Sequence, residues 1–201
     1  MIIRDEEKIK VAKRWLNKLE PKNTKTLKRE LRGEELPEDL VYGQGIEARV
    51  AGFVAGLYSS EIAYNEADYI EDLAKWDFKT TLPYNEFRFE VKNDSYAGKT
   101  GSLYVEFCEI NKKDKGTPEH LTGIFNSSAH YVVFTWENEE RELELVIADR
   151  QAVIKLIKDS TYPYAKTNVS NNPTAGFLVP IEHVIKLKGS LYHVINEEIN
   201  H

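Results

Sequence analysis

The stretch EFRFEVKND at residues 86–94 alternates strictly, with Phe87, Phe89 and Val91 interleaved with Arg88, Glu90 and Lys92. Successive side chains of an extended strand point to opposite faces, so this run sends an apolar set to one side and a charged set to the other. Alternating or continuously apolar runs recur at 74–79 (AKWDFK), 102–110 (SLYVEFCEI), 130–136 (HYVVFTW) and 141–148 (RELELVIA), with turn-rich segments between them. The runs at 74–79, 86–92 and 102–110 follow one another closely and read as a meander.

Helical spacing appears elsewhere. Residues 4–19 bring Ile9, Val11, Ala12, Trp15 and Leu19 near one face, with acids early and bases late, and Pro21 stops the helix. A shorter helix is expected at 24–32. The segment 44–58 (QGIEARVAGFVAGLY) reads as a buried helix whose apolar side carries Ile46, Val50, Phe53, Val54 and Leu57. Residues 116–129 read as a loop with helical turns, Asp149 begins a helix, and the tail adds a short strand at GFLVP and a helix started by Pro180.

The 201 residues suffice for one domain with a real core, and the 41% apolar and 30% charged content is that of a folded globular chain. No apolar run is long enough to span a bilayer, and charges stand where a signal peptide needs apolar residues, so a cytoplasmic protein is expected. The single cysteine, Cys108, rules out an internal disulfide and a cysteine-rich metal site, and reads as buried filler. The five histidines lack metal-ligand spacing. A net charge of −6 excludes a general polyanion-binding surface but allows a local basic cleft. The bases Lys10, Lys13, Arg14 and Lys18 read as a solvated helix face or, in the functional alternative, a nucleic-acid or dimer contact.

An acid and a base on a strand face form at most a weak pair when solvated. Asp77, however, lies thirteen positions before Glu90 in the preceding strand candidate, and a short hairpin would set the two carboxylates side by side. Two carboxylates and a lysine together repel unless a cation intervenes, and Mg²⁺ is the ion usually held by one or two carboxylates with phosphates and waters.

These residues resemble the active centre of the PD-(D/E)XK nuclease superfamily, an acid, a variable spacer and then acid-x-Lys, here Asp77, Glu90 and Lys92. The likeness covers roughly residues 44–136. It implies an α/β, restriction-endonuclease-like core (αβββαβ, a mixed central sheet flanked by helices), with a helical extension at 1–40 and C-terminal strands and helices at 137–201 in one domain. Several members also supply an acid from the leading helix, matched by Glu47. The run KTGSLYVEF and then TGIFNSSAHYVVF is similar to phage and prokaryotic members, with Glu106 as a third-strand acid. Trp76 stands where Pro often precedes the first acid, and His130 where an acid often follows Ala129.

The resemblance implies hydrolysis of DNA phosphodiesters, with Asp77, Glu90, the Val91 carbonyl and Glu47 around Mg²⁺ or Mn²⁺, Lys92 handling the attacking water and Glu106 orienting Lys92. Cutting of a duplex would favour a homodimer. The alternative is a catalytically weak nucleic-acid or protein-binding module on the same fold. The stretch AGKTGS at 97–102 lacks the first glycine and following helix of a phosphate loop and reads as a hairpin or substrate loop whose Lys99 could touch a phosphate. Tyr84, Tyr96, Tyr104 and Tyr131 are candidates for stacking on unpaired bases, or for ordinary packing.

Overall fold

Alternation in β-strands becomes a two-sided sheet when both faces find cover, and both do here. The computed structural model describes residues 2–19, 38–58, 61–64, 76–82, 85–111, 117–167 and 173–195. In chain order the elements are β1 (Ile2–Ile3), α1 (Glu6–Lys18), α2 (Glu38–Tyr58), β2 (Glu61–Tyr64), β3 (Phe78–Leu82), β4 (Asn85–Asn93) and α3 (Ala97–Thr100). There follow β5 (Ser102–Ile110), β6 (Pro118–Leu121), a 3₁₀ turn at Gly123–Phe125, β7 (Tyr131–Glu137), β8 (Leu143–Asp149) and α4 (Arg150–Asp159). The chain ends its described part with β9 (Tyr164–Lys166), β10 (Thr174–Pro180), α5 (Ile181–Ile185) and β11 (Leu191–Ile195).

The strands form two sheets, one of six in the order β11-β8-β7-β4-β3-β2 and one of five in the order β1-β9-β10-β5-β6. In the larger sheet β2, β3 and β4 are antiparallel neighbours, and β7 runs parallel to β4. The fold is mixed α/β. The expected meander of 74–79, 86–92 and 102–110 is corrected in two ways. Its first strand starts later, at Phe78, and residues 102–110, although a strand over that very range, belong to the second sheet against β10. The third strand of the meander is instead β2, a segment of four residues that alternation alone does not reveal.

Each strand of the larger sheet divides its side chains between two apolar clusters. Phe89, Val91, Val133, Leu145 and Ile147 pack with Ile46, Val50, Ala51 and Val54 of α2 on one face. Val132, Phe134, Trp136, Val146 and Ala148 join Phe107, Val105 and Phe177 of the second sheet, with Ile9, Ala12 and Leu16 of α1 and Val153 and Ile157 of α4, on the other. One face is therefore covered by a helix and the other largely by a second sheet, not by helices on both sides. The expected single core is two half-cores that share this sheet.

The helices mostly follow the spacing. α1 starts at Asp5, whose carboxylate accepts the Lys8 amide at 3.1 Å, and buries Ile9, Ala12 and Leu16, while Val11 stays exposed. α2 begins earlier than expected, and Leu57 is exposed at its end. The helix expected at 24–32 and the stop at Pro21 lie outside the described residues. Lys13 donates to the carbonyls of Lys158 and Ser160, capping the end of α4, so this base ties the N-terminal helix to the core. Residues 116–129 hold β6 and the 3₁₀ turn. AGKTGS forms α3 followed by a strand, the reverse of a phosphate loop. Among the described residues no helix is long and apolar enough to cross a membrane.

α3 meets the end of β7 closely enough that only glycine fits at position 98. A Cβ there would sit 2.1 Å from the Glu137 carbonyl oxygen. Gly98→Ala must push α3 off the sheet, and a loss of about 1–3 kcal/mol is expected from such overpacking. Urea unfolding monitored by tryptophan fluorescence checks this, with a lower midpoint and unchanged slope as the expected result.

Candidate active site

The β3–β4 register brings the sequence candidates together. Phe78 pairs with Phe89, and the amide of Asp77, one residue before β3, also donates to the Phe89 carbonyl, at 2.8 Å, which holds Asp77 beside the start of the Glu90–Lys92 stretch. Its carboxylate replaces the next rung of the ladder, accepting the Val91 amide through Oδ2 at 2.5 Å. Two residues along β4 from Glu90, Lys92 places its ammonium 2.5 Å from Glu90 Oε1. Val91 enters the site through its N–H. An extended residue exchanges its N–H and C=O with the same neighbour, so the Val91 carbonyl is directed to the Asp77 side of β4 as well.

Glu90 and Lys92 do not face solvent as an outward pair. In the parallel β4–β7 ladder Glu90 and Lys92 register with Val132 and Phe134, which belong to the cluster shared with the second sheet. Glu90 is only 5% exposed, whereas the Lys92 side chain retains 38% of its surface. A buried carboxylate with one lysine is a different object from a surface pair, because desolvation is costly unless every lone pair is engaged. Here one is not: Glu90 Oε2 is buried with no hydrogen-bond partner.

The electrostatics express the same deficit. Burial pushes the Asp77 carboxyl up to about 7, with the Glu90 charge adding to the effect and Lys92 and the Val91 amide opposing it. Glu47, half-buried on α2, is also raised by burial, with Lys92 drawing it down and Glu90 pushing it up, so it belongs to the same cluster. Burial works against the Lys92 charge too, but Glu90, Asp77 and Glu106 together outweigh it and hold the ammonium above its ordinary range. Glu106, on β5 of the second sheet, is raised by burial and eased by the Thr122 hydroxyl and by Lys92. Asp77, Glu90, Glu47 and Lys92 therefore act on one another, and Glu106 joins them through Lys92, so that two strands, the approach to β3 and a helix contribute to the cluster.

Sequence reasoning missed Arg150. It sits in the first turn of α4, where a cation opposes the helix dipole, and that misplacement is the signal that could have found it. Its guanidinium donates to the carbonyls of Ala129 and Ile124, both at 2.8 Å, fixing the approach to β7, and it lies within the field of Glu90. Burial lowers its affinity for the proton, with Glu90 opposing. The other sequence candidates have structural employment. His130 Nδ1 accepts the Arg88 amide at 3.0 Å, His183 pairs with the Tyr162 hydroxyl at 2.8 Å, and His193 packs edge-on against Phe53. Cys108 is fully buried, and burial pushes its thiol up to about 12, so it is inert. Tyr131 stacks on Phe89 in the core, and Tyr84 lies outside the described residues.

The donor set is of the kind a hard divalent cation takes: the Asp77 carboxylate within the field of Glu90, a buried oxygen of Glu90 lacking a partner, the Val91 carbonyl on the Asp77 side of β4, and Glu47 within the field of Glu90. No family model, curated protein or solved structure matches the chain.

The cluster predicts a stability signature in chelator. Because the folded-state value of Asp77 exceeds its ordinary 3.8, its contribution is complete below that pH and is lost as pH rises through about 7. Without divalent cation, Asp77→Asn, which keeps an oxygen for the Val91 amide, should therefore raise the Tm at pH 8 by a few degrees and leave it nearly unchanged at pH 4. Scanning calorimetry at the two pH values checks both halves.

Proposed function

We propose that the chain is a metal-dependent nuclease that hydrolyses phosphodiester bonds in DNA. The observation that carries this reading is the juxtaposition of Asp77, anchored on the Val91 amide, with a buried Glu90 that pairs with Lys92 through one oxygen and leaves the other without a partner. The topology supports it: a helix, three antiparallel strands, a connection and a strand parallel to the third is the order that a restriction-endonuclease-like core requires. The connection carries β5 and β6 of the second sheet in place of a long helix.

Asp77, Glu90 and the Val91 carbonyl would hold Mg²⁺ or Mn²⁺, with Glu47 completing the acidic wall. The bound ion would supply Lewis acidity and neutralise charge on the scissile phosphate. Lys92, half-exposed and with its ammonium paired to Glu90 on one side, donates its remaining hydrogen bonds to water or to a phosphate oxygen, orienting the nucleophile and stabilising charge as it develops. Glu106 of the second sheet adds to the negative field that keeps Lys92 charged and would help to orient the ammonium. Arg150 holds the loop before β7 and so keeps the strand beside Glu90 in place.

Incubation of end-labelled DNA with the purified protein should give cleavage in Mg²⁺ or Mn²⁺ and none in chelator. Asp77→Ala, Glu90→Ala and Lys92→Ala should each slow it by about 10²–10³-fold or more, the loss expected when a group stabilising transition-state charge is removed. Cleavage that survives Asp77→Ala would show that another centre does the work. Metal binding without cleavage of any DNA would favour the binding-module alternative.

A further inference from the structure

Where β4 runs out past Lys92, a cleft of about 660 Å³ opens between the Asn93–Tyr96 segment and β1, β9, β10 and β5 of the five-stranded sheet. Asn93, the residue after Lys92, lines it, as do Arg4, Asp94, Tyr96, Tyr104 and Thr167. The cleft lies next to the acidic centre along two strands: Asn93, which lines it, follows Lys92 on β4, and Tyr104, which lines it, stands two residues before Glu106 on β5.

The cleft is built around two tyrosine rings held in different ways. Tyr104 is fixed: its amide donates to Asp94 Oδ2 at 2.7 Å, its hydroxyl meets Thr174 Oγ1 at 3.0 Å, and its ring lies against Gly176 of β10. A Cβ at position 176 would come within 2.6 Å of that ring, so glycine is what lets the wall lie flat. Tyr96 is the opposite case, a ring 71% exposed on a rigid backbone. Its amide donates to Asp94 Oδ1 at 3.0 Å, and its carbonyl accepts the Thr100 hydroxyl at 3.0 Å. A large ring held in water by an ordered main chain buries nothing, yet it is pre-organised to be stacked upon.

Charge in the cleft is sparing. Asp94 spends both carboxylate oxygens on the Tyr96 and Tyr104 amides, and Arg4 supplies a cation of the kind that meets phosphate. Size decides between paired and unpaired nucleic acid. A volume of 660 Å³ is a cube roughly 9 Å on a side, within the range of pockets that take a single small ligand, and a base that is stacked and paired in a duplex must leave the helix to enter one.

We propose that this cleft takes one unpaired nucleotide of the substrate strand, its base stacked on Tyr96 and its phosphate met by Arg4, so that the preferred substrate is single-stranded or frayed DNA. This identification of the ligand rests on the nuclease reading. Asn93 and Asp94 of the cleft follow Lys92 directly in the chain, so the stacked base belongs to a nucleotide near the scissile phosphate.

The test is fluorescence of a short oligonucleotide carrying a fluorescent adenine analogue, titrated with the full-length protein in chelator so that no hydrolysis intervenes. The single strand should bind more tightly than the same sequence in a duplex, with quenching of the analogue. Tyr96→Ala should weaken single-strand binding about tenfold and abolish the quenching, while Tyr96→Phe retains both, as stacking worth about 1–3 kcal/mol per base requires. Equal or tighter duplex binding, no binding of the single strand, or binding indifferent to Tyr96→Ala would each overturn the proposal. Tyr96-dependent quenching in a protein that cleaves nothing in Mn²⁺ would remove the nuclease reading and keep the cleft. Duplex cleavage that ignores Tyr96→Ala would do the reverse.

Discussion

The site depends on one hydrogen bond, from the Val91 amide to the Asp77 carboxylate. A backbone N–H inside a sheet must find an acceptor, and where β3 begins, the ladder has no carbonyl left to offer Val91. Asp77 supplies that acceptor with its side chain. The same contact completes the pairing of β4 and sets a carboxylate at a fixed place beside Glu90. Removing it would expose a buried donor as well as a functional group, so structure and chemistry meet in a single atom pair.

Around that contact the protein accumulates charge that a stable core would avoid. Glu90 is buried with one oxygen unpartnered, Asp77 and Glu47 are both disfavoured as anions by burial, and Lys92 alone is too little to offset three carboxylates. Such a cluster survives because the sheet that carries it is packed on both faces, with α2 on one side and the second sheet on the other. The apolar residues of β7 and β8 stabilise the frame, and the acidic cluster draws on that stability. Buried groups whose affinities are pushed from their ordinary values by burial and like charge are what active sites collect.

Much of this was legible in the chain, for reasons that differ by element. The long alternating or apolar runs of β4, β5, β7 and β8 declared themselves because a period of two sustained over seven to nine residues suits an extended strand and no helix. Asp77, Glu90 and Lys92 could be brought together because a hairpin is a local structure whose register follows from short-range pairing. Which sheet β5 joins was not legible, since its partner β10 lies far along the chain, and alternation carries no information about the identity of a neighbour. Nor was the burial of Glu90. Alternation says which residues share a face, whereas the cover over that face comes from a second sheet assembled from distant segments. β1, β2 and β9 escaped because strands of two to four residues are held by their partners rather than by their own pattern. Arg150 was hidden for the same reason, as its role is defined by the carbonyls of Ala129 and Ile124.

Nuclease chemistry at this centre requires that the Asp77–Glu90 cluster be a cation site. Isothermal titration calorimetry of the metal-free protein with Mn²⁺ measures this directly. One saturable binding event, lost in Glu90→Gln while that variant keeps its folded spectrum, is the result expected from a buried carboxylate oxygen left open for a metal. Absence of binding to the wild-type protein, or binding unchanged in Glu90→Gln, would contradict it.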